Sequence, residues 1–344
     1  MAPHKVLARW GIVPLKIESI TTGIFNRTYK IHRKEGVFLI LQKLHPLISN
    51  NGSTENYFAI TEYLRKKGLP MQTVLRAKNG KFLVNDGKYR WRLMRALPGR
   101  VYTNTNSLSL VREAGRCLGK THAVLKNFRG KLAPTLPMFQ YGVVLKKLRH
   151  FAPKLLKDKN PAAREATQFL LEYLPQNFLP PSLPKRIIHT DPKISNFIFD
   201  GRGKAIALID WDTAQKLSPL YDLGDALRSF CGNEEDDPDN QFSRNKFNAF
   251  LSGYFAGSGR YLSILEKNFI PQATALVILG LAARFLNDYE ESFYFGWDSK
   301  RYNSRKKHNL ARALGQIALY KSFKKSDKIM RWYFNKHRCK KERS

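Results

Sequence analysis

The chain has 344 residues, 43% of them apolar, with 60 Lys and Arg against 27 Asp and Glu and a formal net charge of +33. That length supports two lobes with cores of their own or one large domain, and the apolar fraction excludes a long disordered chain. Three scattered cysteines, Cys117, Cys231 and Cys339, lack metal-ligand spacing and fit a reducing cytoplasm. The first fifteen residues have no apolar core region or small-residue cleavage site, so a secretory leader is not expected. The most apolar run, residues 273–286, is interrupted by Arg284 and falls short of the roughly 20 residues of a membrane span, so a buried helix is expected there. Basic residues are spread along the chain, densest at 65–67, 300–307 and in the tail 321–343. None of these groups carries a nucleic-acid-binding signature. The expectation is a solvated basic surface without a specific nucleic-acid partner.

In chain order, residues 15–20 and 28–31 read as strands around the turn TTGIFNR, and 37–43 (VFLILQK) as a third. Residues 56–67 read as an amphipathic helix with Tyr57, Ile60, Tyr63 and Leu64 on one face, closed by Gly68-Leu69-Pro70. Strands follow at 73–77, 81–84 and 89–94. Three strands, a helix and further strands is the order of a kinase small lobe. The chain should divide into a nucleotide-binding lobe, residues 1–95, and a catalytic and acceptor-binding lobe, 96–344. In the small lobe Gly23 is the candidate for a tight phosphate-binding turn, a place a plain β-turn would also fill. Asn26 and Thr28 could add donors. Lys43 is the candidate for the lysine on the α- and β-phosphates, with Glu55 or Glu62 as its helix carboxylate; an ordinary surface lysine is the alternative. Arg95 and Ala96, at the end of the last strand before Leu97-Pro98-Gly99, suit a hinge against the nucleotide base. Beyond it the chain turns helical at 109–128, 149–156 and 162–173.

That helical pattern breaks at residues 187–212, IIHTDPKISNFIFD-GRGK-AIALIDWD, two β-branched runs around a Gly-rich turn. Phosphoryl transfer needs a carboxylate for the proton of an attacking hydroxyl, and oxygen ligands holding Mg²⁺ against the phosphates. Asp191 is placed for the first task. Asn196, five residues on, and Asp210, at the next strand end, are placed for the second. The chain therefore reads as a kinase of small molecules using ATP or GTP, with a small hydroxyl compound as the acceptor. The alternative class is a non-catalytic, basic kinase-fold binding protein; such proteins typically lose the base or a metal ligand, and none is missing here.

The HTDPKISN…IDWD pattern resembles the aminoglycoside phosphotransferase and choline kinase superfamily. FLILQKLH, WRLMRALPG, YDLGDALRS, ARFLNDYEESFYF and HNLARALGQ, in that order, are similar to its bacterial N-acetylhexosamine 1-kinase-like branch. The resemblance implies an α+β, bilobal protein-kinase-like fold with a β-rich N-lobe and a mainly helical C-lobe. It implies Asp191 as catalytic base and Asn196 with Asp210 on Mg²⁺. Lys193 would neutralise the transferring phosphoryl group, and Asp212 and Thr213 would face the sugar hydroxyls. Arg284 would complete the sugar site with Tyr294, and His189 would orient the catalytic loop. Asp222 and Asp225 would brace that loop or cap a helix, one of them paired with Arg228. The implied reaction is phosphorylation of an N-acetylhexosamine at its anomeric hydroxyl; an amino alcohol, homoserine or an aminoglycoside is the alternative acceptor. Two positions depart from the pattern. Thr190 stands where Gly or Asn is more usual, and Phe139-Gln140-Tyr141 stands where relatives often have Phe-His-Asp. The basic surface argues against cationic acceptors.

Overall fold

The computed structural model of the protein describes residues 2–20, 26–34, 36, 38–49, 52–87, 89–135 and 139–339. A short helix α1 (Pro3–Leu7) precedes strands β1 (Lys16–Ile20), β2 (Arg27–His32) and β3 (Leu39–Leu44). Helices α2 (Pro46–Ser49) and α3 (Ser53–Lys66) follow, then β4 (Val84–Asn85) and β5 (Arg90–Arg95). The five strands form one antiparallel sheet in the order β1-β2-β3-β5-β4. The period-2 alternation sorts its side chains. Ile31, Leu39, Leu41, Trp91 and Leu93 form a small core with Val6 and Leu7 of α1. The opposite face turns Ile40 and Met94 toward Tyr57, Ile60 and Leu64 of α3 and the main core.

The segments expected as strands at 73–77 and 81–84 are reduced to an isolated bridge, Val74 to Met94, and to the two residues of β4. Both lie along the same free edge of β5. That edge accepts the Leu75 amide on Leu93 O (2.8 Å), donates the Arg95 amide to Thr73 O (2.9 Å) and pairs Val84 with Trp91 further along, so neither segment can extend. After β5 the chain crosses at Gly99, where Arg100 exchanges two backbone hydrogen bonds with Phe199 (2.7 and 2.9 Å). Gly99 has φ +141, and a Cβ there would stand 2.5 Å from Phe199 O. Only glycine fits.

The second lobe is mainly helical: α4 (Leu108–Leu125), α5 (Tyr141–Leu155) and α6 (Pro161–Tyr173) lead into strands β6 (Arg186–Ile188), β7 (Phe197–Phe199), β8 (Ala205–Leu208) and β9 (Gln215–Leu217). Then come α7 (Leu220–Cys231), α8 (Arg244–Ser258), α9 (Ile264–Asn268), α10 (Ile270–Glu291) and α11 (Arg305–Cys339). The hairpin expected around Gly201 exists as β7 and β8, closed by Asp200, whose Oδ1 accepts from the amides of Arg202 and Lys204 (both 2.9 Å). The first apolar run, however, pairs with β9 as a separate two-stranded sheet. Helix starts carry the expected caps: Ser107, Asn160 and Ser243 each accept from an amide of the first turn, and Ser263 with Glu266 forms a capping box.

Helix α10 is 22 residues long and, by length and composition, apolar enough to cross a membrane, but 78% of its apolar window is buried. It packs against α5, α6, α7 and α11 as the central helix of the lobe. Helices α4 and α8 approach so closely that Gly115 and Gly119 of one face the backbone of the other, and Gly253 and Gly257 reciprocate. A methyl group at Gly253 would overlap the carbonyl of Arg112, which cannot move without shifting its helix. Gly253→Ala should therefore destabilise the protein by about 1–3 kcal/mol in urea unfolding. Gly142→Ala, in open space on α5, is the matched control and should be neutral or slightly stabilising.

Candidate active site

The loop after β6 hangs on one buried carboxylate. Asp222, in the first turn of α7, accepts the amides of His189 and Thr190 (2.7 Å each) on its two oxygens and contacts His122 Nε2 at 3.0 Å. His189 donates from Nε2 to Ile209 O (2.8 Å), so its Nδ1 is left to accept the amide of Asp191 (3.2 Å). Burial holds its pKa below the ordinary histidine value, which keeps this neutral tautomer. Thr190 sits at φ +76, the left-handed region where Gly or Asn is favoured. Its hydroxyl is fixed by Thr213 Oγ1 (2.8 Å).

Asp191 is thereby presented to the cleft. Its Oδ2 accepts Lys193 Nζ (2.6 Å) and Asn196 Nδ2 (3.2 Å), and Asn196 Nδ2 also donates to the Asp191 carbonyl (2.7 Å). Burial pulls the Lys193 pKa down, but the Asp191 carboxylate outweighs it and holds the ammonium above its ordinary value. Ile209 donates its amide to Asn196 O (2.9 Å), which ties the metal-ligand candidates of the two loops together. Asp210 follows at φ +71. Among the described residues no hydrogen bond or ion pair engages its carboxylate, which burial and the neighbouring Asp212 push up to about 7 against the pull of Lys193.

The lobes meet through a buried ion pair. Arg92 of β5 grips Asp212 with both terminal nitrogens (2.7 and 2.6 Å), donates from Nε to Gln42 Oε1 (2.7 Å) and lies 4.0 Å over the Tyr57 ring. Both charged side chains are almost fully buried. Asn26 donates to Asp212 Oδ2 (2.9 Å) and accepts the amide of His45 (3.0 Å). Gln42 Nε2 donates to Thr28 Oγ1 (3.3 Å).

A cavity of about 150 Å³ lies between these parts, and nine of the residues singled out in the sequence line it: Asn26, Thr28, Asp191, Lys193, Asp210, Asp212, Thr213, Arg284 and Tyr294. Arg284 of α10 donates to Tyr294 Oη (3.0 Å). An apolar annex of about 240 Å³ shares Phe139, Arg284, Tyr294 and Phe295 with it. A polar hollow of about 660 Å³ adjoins on the side of Lys193, Arg228 and Glu235. Among the described residues no three His, Cys, Asp or Glu side chains form a metal site alone. The donor set is instead Asp210, which has no partner, and the Oδ1 of Asn196. That set fits a hard, oxygen-seeking cation completed by phosphate oxygens.

Residues 16–256 match the phosphotransferase enzyme family. The chain belongs to that family. Homoserine kinase of Zymomonas mobilis is 25% identical over 273 residues, 79% of each chain, and homoserine kinase of Caulobacter vibrioides 24% over 272, 79% of this chain and 80% of the relative. Among solved structures, an amicoumacin kinase complexed with AMP-PNP, Ca²⁺ and its substrate superposes with TM-score 0.63 at 16% identity, covering 91% of each chain. Plasmodium vivax ethanolamine kinase gives 0.54 at 13%, covering 88% of this chain and 82% of that one. The fold is kinase-like, with a small antiparallel-sheet lobe and a mainly helical lobe, and the protein is a small-molecule kinase.

Several expected residues lie elsewhere in this phosphotransferase. Lys43 shares the strand face of Leu39 and Leu41, with its ammonium 3.5 Å over the Tyr89 ring, and it is Gln42 that faces the cleft. Neither expected carboxylate reaches Lys43: Glu62 pairs with Arg65 and Lys66 on its own helix, and Glu55 is exposed. Asp212, expected to face a sugar hydroxyl, instead gives three of its acceptor positions to Arg92 and Asn26. The hinge amides of Arg95 and Ala96 are already donated to Thr73 O and Phe38 O (2.9 and 3.2 Å). Gly23 lies outside the described residues. Sequence reasoning missed Arg92 and Gln42, although each is a polar residue interrupting the apolar face of its strand. It also missed Asp288, which accepts the amides of Phe293, Tyr294 and Phe295 (2.9, 2.7 and 3.0 Å) and Asn309 Nδ2 (2.8 Å), and so places Tyr294.

Two outcomes follow from this geometry. Arg92→Met leaves Asp212 buried without its cation and should cost about 3–5 kcal/mol in urea unfolding, part of which Arg92→Met/Asp212→Leu recovers. Burial raises the Asp288 pKa, but the three amides and Asn309 outweigh it and hold the carboxyl below its ordinary value. Its stabilisation is therefore present above the unfolded carboxyl pKa of about 4 and is lost as pH falls through the depressed folded value. The melting-temperature gap between wild type and Asp288→Asn should narrow steadily as pH drops below about 4.

Proposed function

We propose that the protein transfers the γ-phosphoryl group of ATP (or GTP) to a hydroxyl of a small polar acceptor, with Mg²⁺. The observation that carries this reading is that Asp191 and Asp210 line one cavity, with Asn196 bonded to Asp191 behind it, and that among the described residues none donates to Asp191 Oδ1. Asp191 would take the acceptor proton on that oxygen, held in place by the neutral His189 and by Asn196. Asn196 Oδ1 and Asp210 would hold Mg²⁺, which when bound neutralises phosphate charge. Lys193 supplies a cation beside the reacting hydroxyl. Thr28, whose oxygen accepts from Gln42, keeps its own O–H to donate to a phosphate. Nucleotide binding falls to residues 1–95 and the cleft wall, and acceptor binding to residues 96–344.

For the acceptor, an N-acetylhexosamine phosphorylated at its anomeric hydroxyl is the first reading. The ordered motifs support it, as does a polar chamber joined to an aromatic annex, with Arg284 and Tyr294 at the junction. Homoserine is the second. The names of the curated relatives favour it, as does a cavity holding both carboxylates and the Arg284 guanidinium, the complement of a zwitterion.

Asp191→Asn should lower acceptor-dependent ADP release by about 10²–10⁴-fold while leaving calorimetric ATP binding nearly unchanged. Unchanged turnover would remove Asp191 from the chemistry. A panel of N-acetylglucosamine, N-acetylgalactosamine, L-homoserine and ethanolamine separates the acceptor readings; strongest stimulation by homoserine displaces the sugar.

A further inference from the structure

Asp225 lies one turn after Asp222 on α7, and the two carboxylates are used differently. Asp222 spends both oxygens on loop amides. Asp225 receives Arg228 Nε on Oδ1 at 3.0 Å, while its Oδ2 has no hydrogen-bond partner although the residue is only 6% exposed. The bracing carboxylates Asp222 and Asp288 satisfy both of their oxygens. A buried, unmatched carboxylate oxygen is costly, and such groups persist where something else supplies the missing donor. Asp225 also lines the cavity that holds Asp191 and Lys193. Burial pushes its pKa up to about 6 against the opposing pull of Arg228, the behaviour of a carboxylate short of donors. As a carboxylate it can only accept, and among the described residues Arg228 Nε is its side-chain donor, on Oδ1, which leaves Oδ2 for a donor from outside the protein.

We propose that Asp225 is an acceptor-binding residue, its Oδ2 receiving a hydrogen bond from a second donor group carried by the acceptor near the hydroxyl that reacts. The inference rests on the kinase reading and deepens it. It assigns the acceptor to compounds bearing a hydroxyl, amide N–H or ammonium beside the phosphorylated position, and it excludes simple alcohols. A site built around an unpaired buried acceptor discriminates strongly, because a compound lacking the donor leaves the oxygen unpaired in the complex as well.

The test compares wild type with Asp225→Asn and Asp225→Ser, the second removing the carboxylate without setting an amide donor against Arg228. The acceptors are L-homoserine against 4-hydroxybutyrate, and N-acetylglucosamine against 2-deoxyglucose and against its own 3-, 4- and 6-deoxy derivatives. The first pair reports an ammonium donor, 2-deoxyglucose the amide N–H and the remaining sugars a hydroxyl. Wild type should favour the parent compound by about 10–100-fold in kcat/KM over the analogue lacking the donor. In both variants that preference should collapse to within about threefold, with acceptor KM up about tenfold or more and ATP KM within about twofold. Variants that keep the preference and the acceptor KM overturn the assignment, even if their melting temperature or kcat falls; the kinase reading then stands, because wild type turns over. A wild type that binds Mg-ATP and phosphorylates none of these compounds overturns the kinase reading on this panel, and the inference with it.

Discussion

The buried pairing of Arg92 with Asp212 is the constraint on which the arrangement of the cleft depends. Two charges withdrawn from water cost several kcal/mol each, and only close, fully hydrogen-bonded geometry offsets that. Here the guanidinium meets the carboxylate in parallel, Gln42 takes its remaining Nε–H, and Asn26 adds a further donor to Asp212. The contacts come from β3 and β5 and from the start of the β2–β3 hairpin on one side, and from the turn after β8 on the other. A shift of either lobe would strand a buried charge, so the pair fixes the sheet above the catalytic loop. It also fixes which strand faces look inward. With Gln42 and Arg92 directed at Asp212, the paired register turns Lys43 and Trp91 to the far side.

The catalytic loop is built on the same principle of over-determination. Thr190 and Asp210 both occupy the left-handed region, a backbone state costing about 1–3 kcal/mol for a non-glycine residue. Each is held there by its neighbours: Thr190 by Asp222 and Thr213, and Asp210 by the Ile209 amide on Asn196. The sharp turns bring Asp191 and Asn196, five positions apart, into hydrogen-bond contact and tie Asn196 to Ile209, the residue before Asp210. Asp222 in turn sits between the loop and the α4–α8 crossing, through His122 and Tyr254 (2.9 Å). Packing of glycine-faced helices is thereby coupled to the loop that carries Asp191.

How much of this was legible follows from where the partners lie in the chain. Asp191, Lys193, Asn196 and Asp210 fall within twenty residues, and their spacing on a hairpin could be read directly. The strand–strand–strand–helix order was legible from local periodicity; the family resemblance implied that Arg228 pairs with Asp222 or Asp225, and Asp225, three residues before it on the helix, is the partner. Arg92 with Asp212 spans 120 positions, and nothing local marks it. Lys43 was misplaced because a lysine near the end of a strand outweighed the alternation, which puts it with Leu39 and Leu41. The segment at 73–77 has strand-like residues but no free edge long enough to receive it. Asp288 was hidden in a motif read for its family resemblance rather than for the carbonyl-like work its carboxylate does on three following amides.

The charge pattern of the cleft gives these details a common logic. The protein carries a large positive net charge, yet its central cavity gathers four aspartates. Three of them have a basic partner of their own: Lys193 for Asp191, Arg92 for Asp212 and Arg228 for Asp225. Asp210 alone among these four has none. Burial, with the Asp212 carboxylate beside it, pushes the Asp210 pKa up to about 7 against the opposing pull of Lys193 and Arg92. A site that concentrates its one uncompensated acid just past the end of β8 is electrostatically incomplete without a cation. It becomes balanced when that cation arrives with anionic phosphates, which is the state phosphoryl transfer requires.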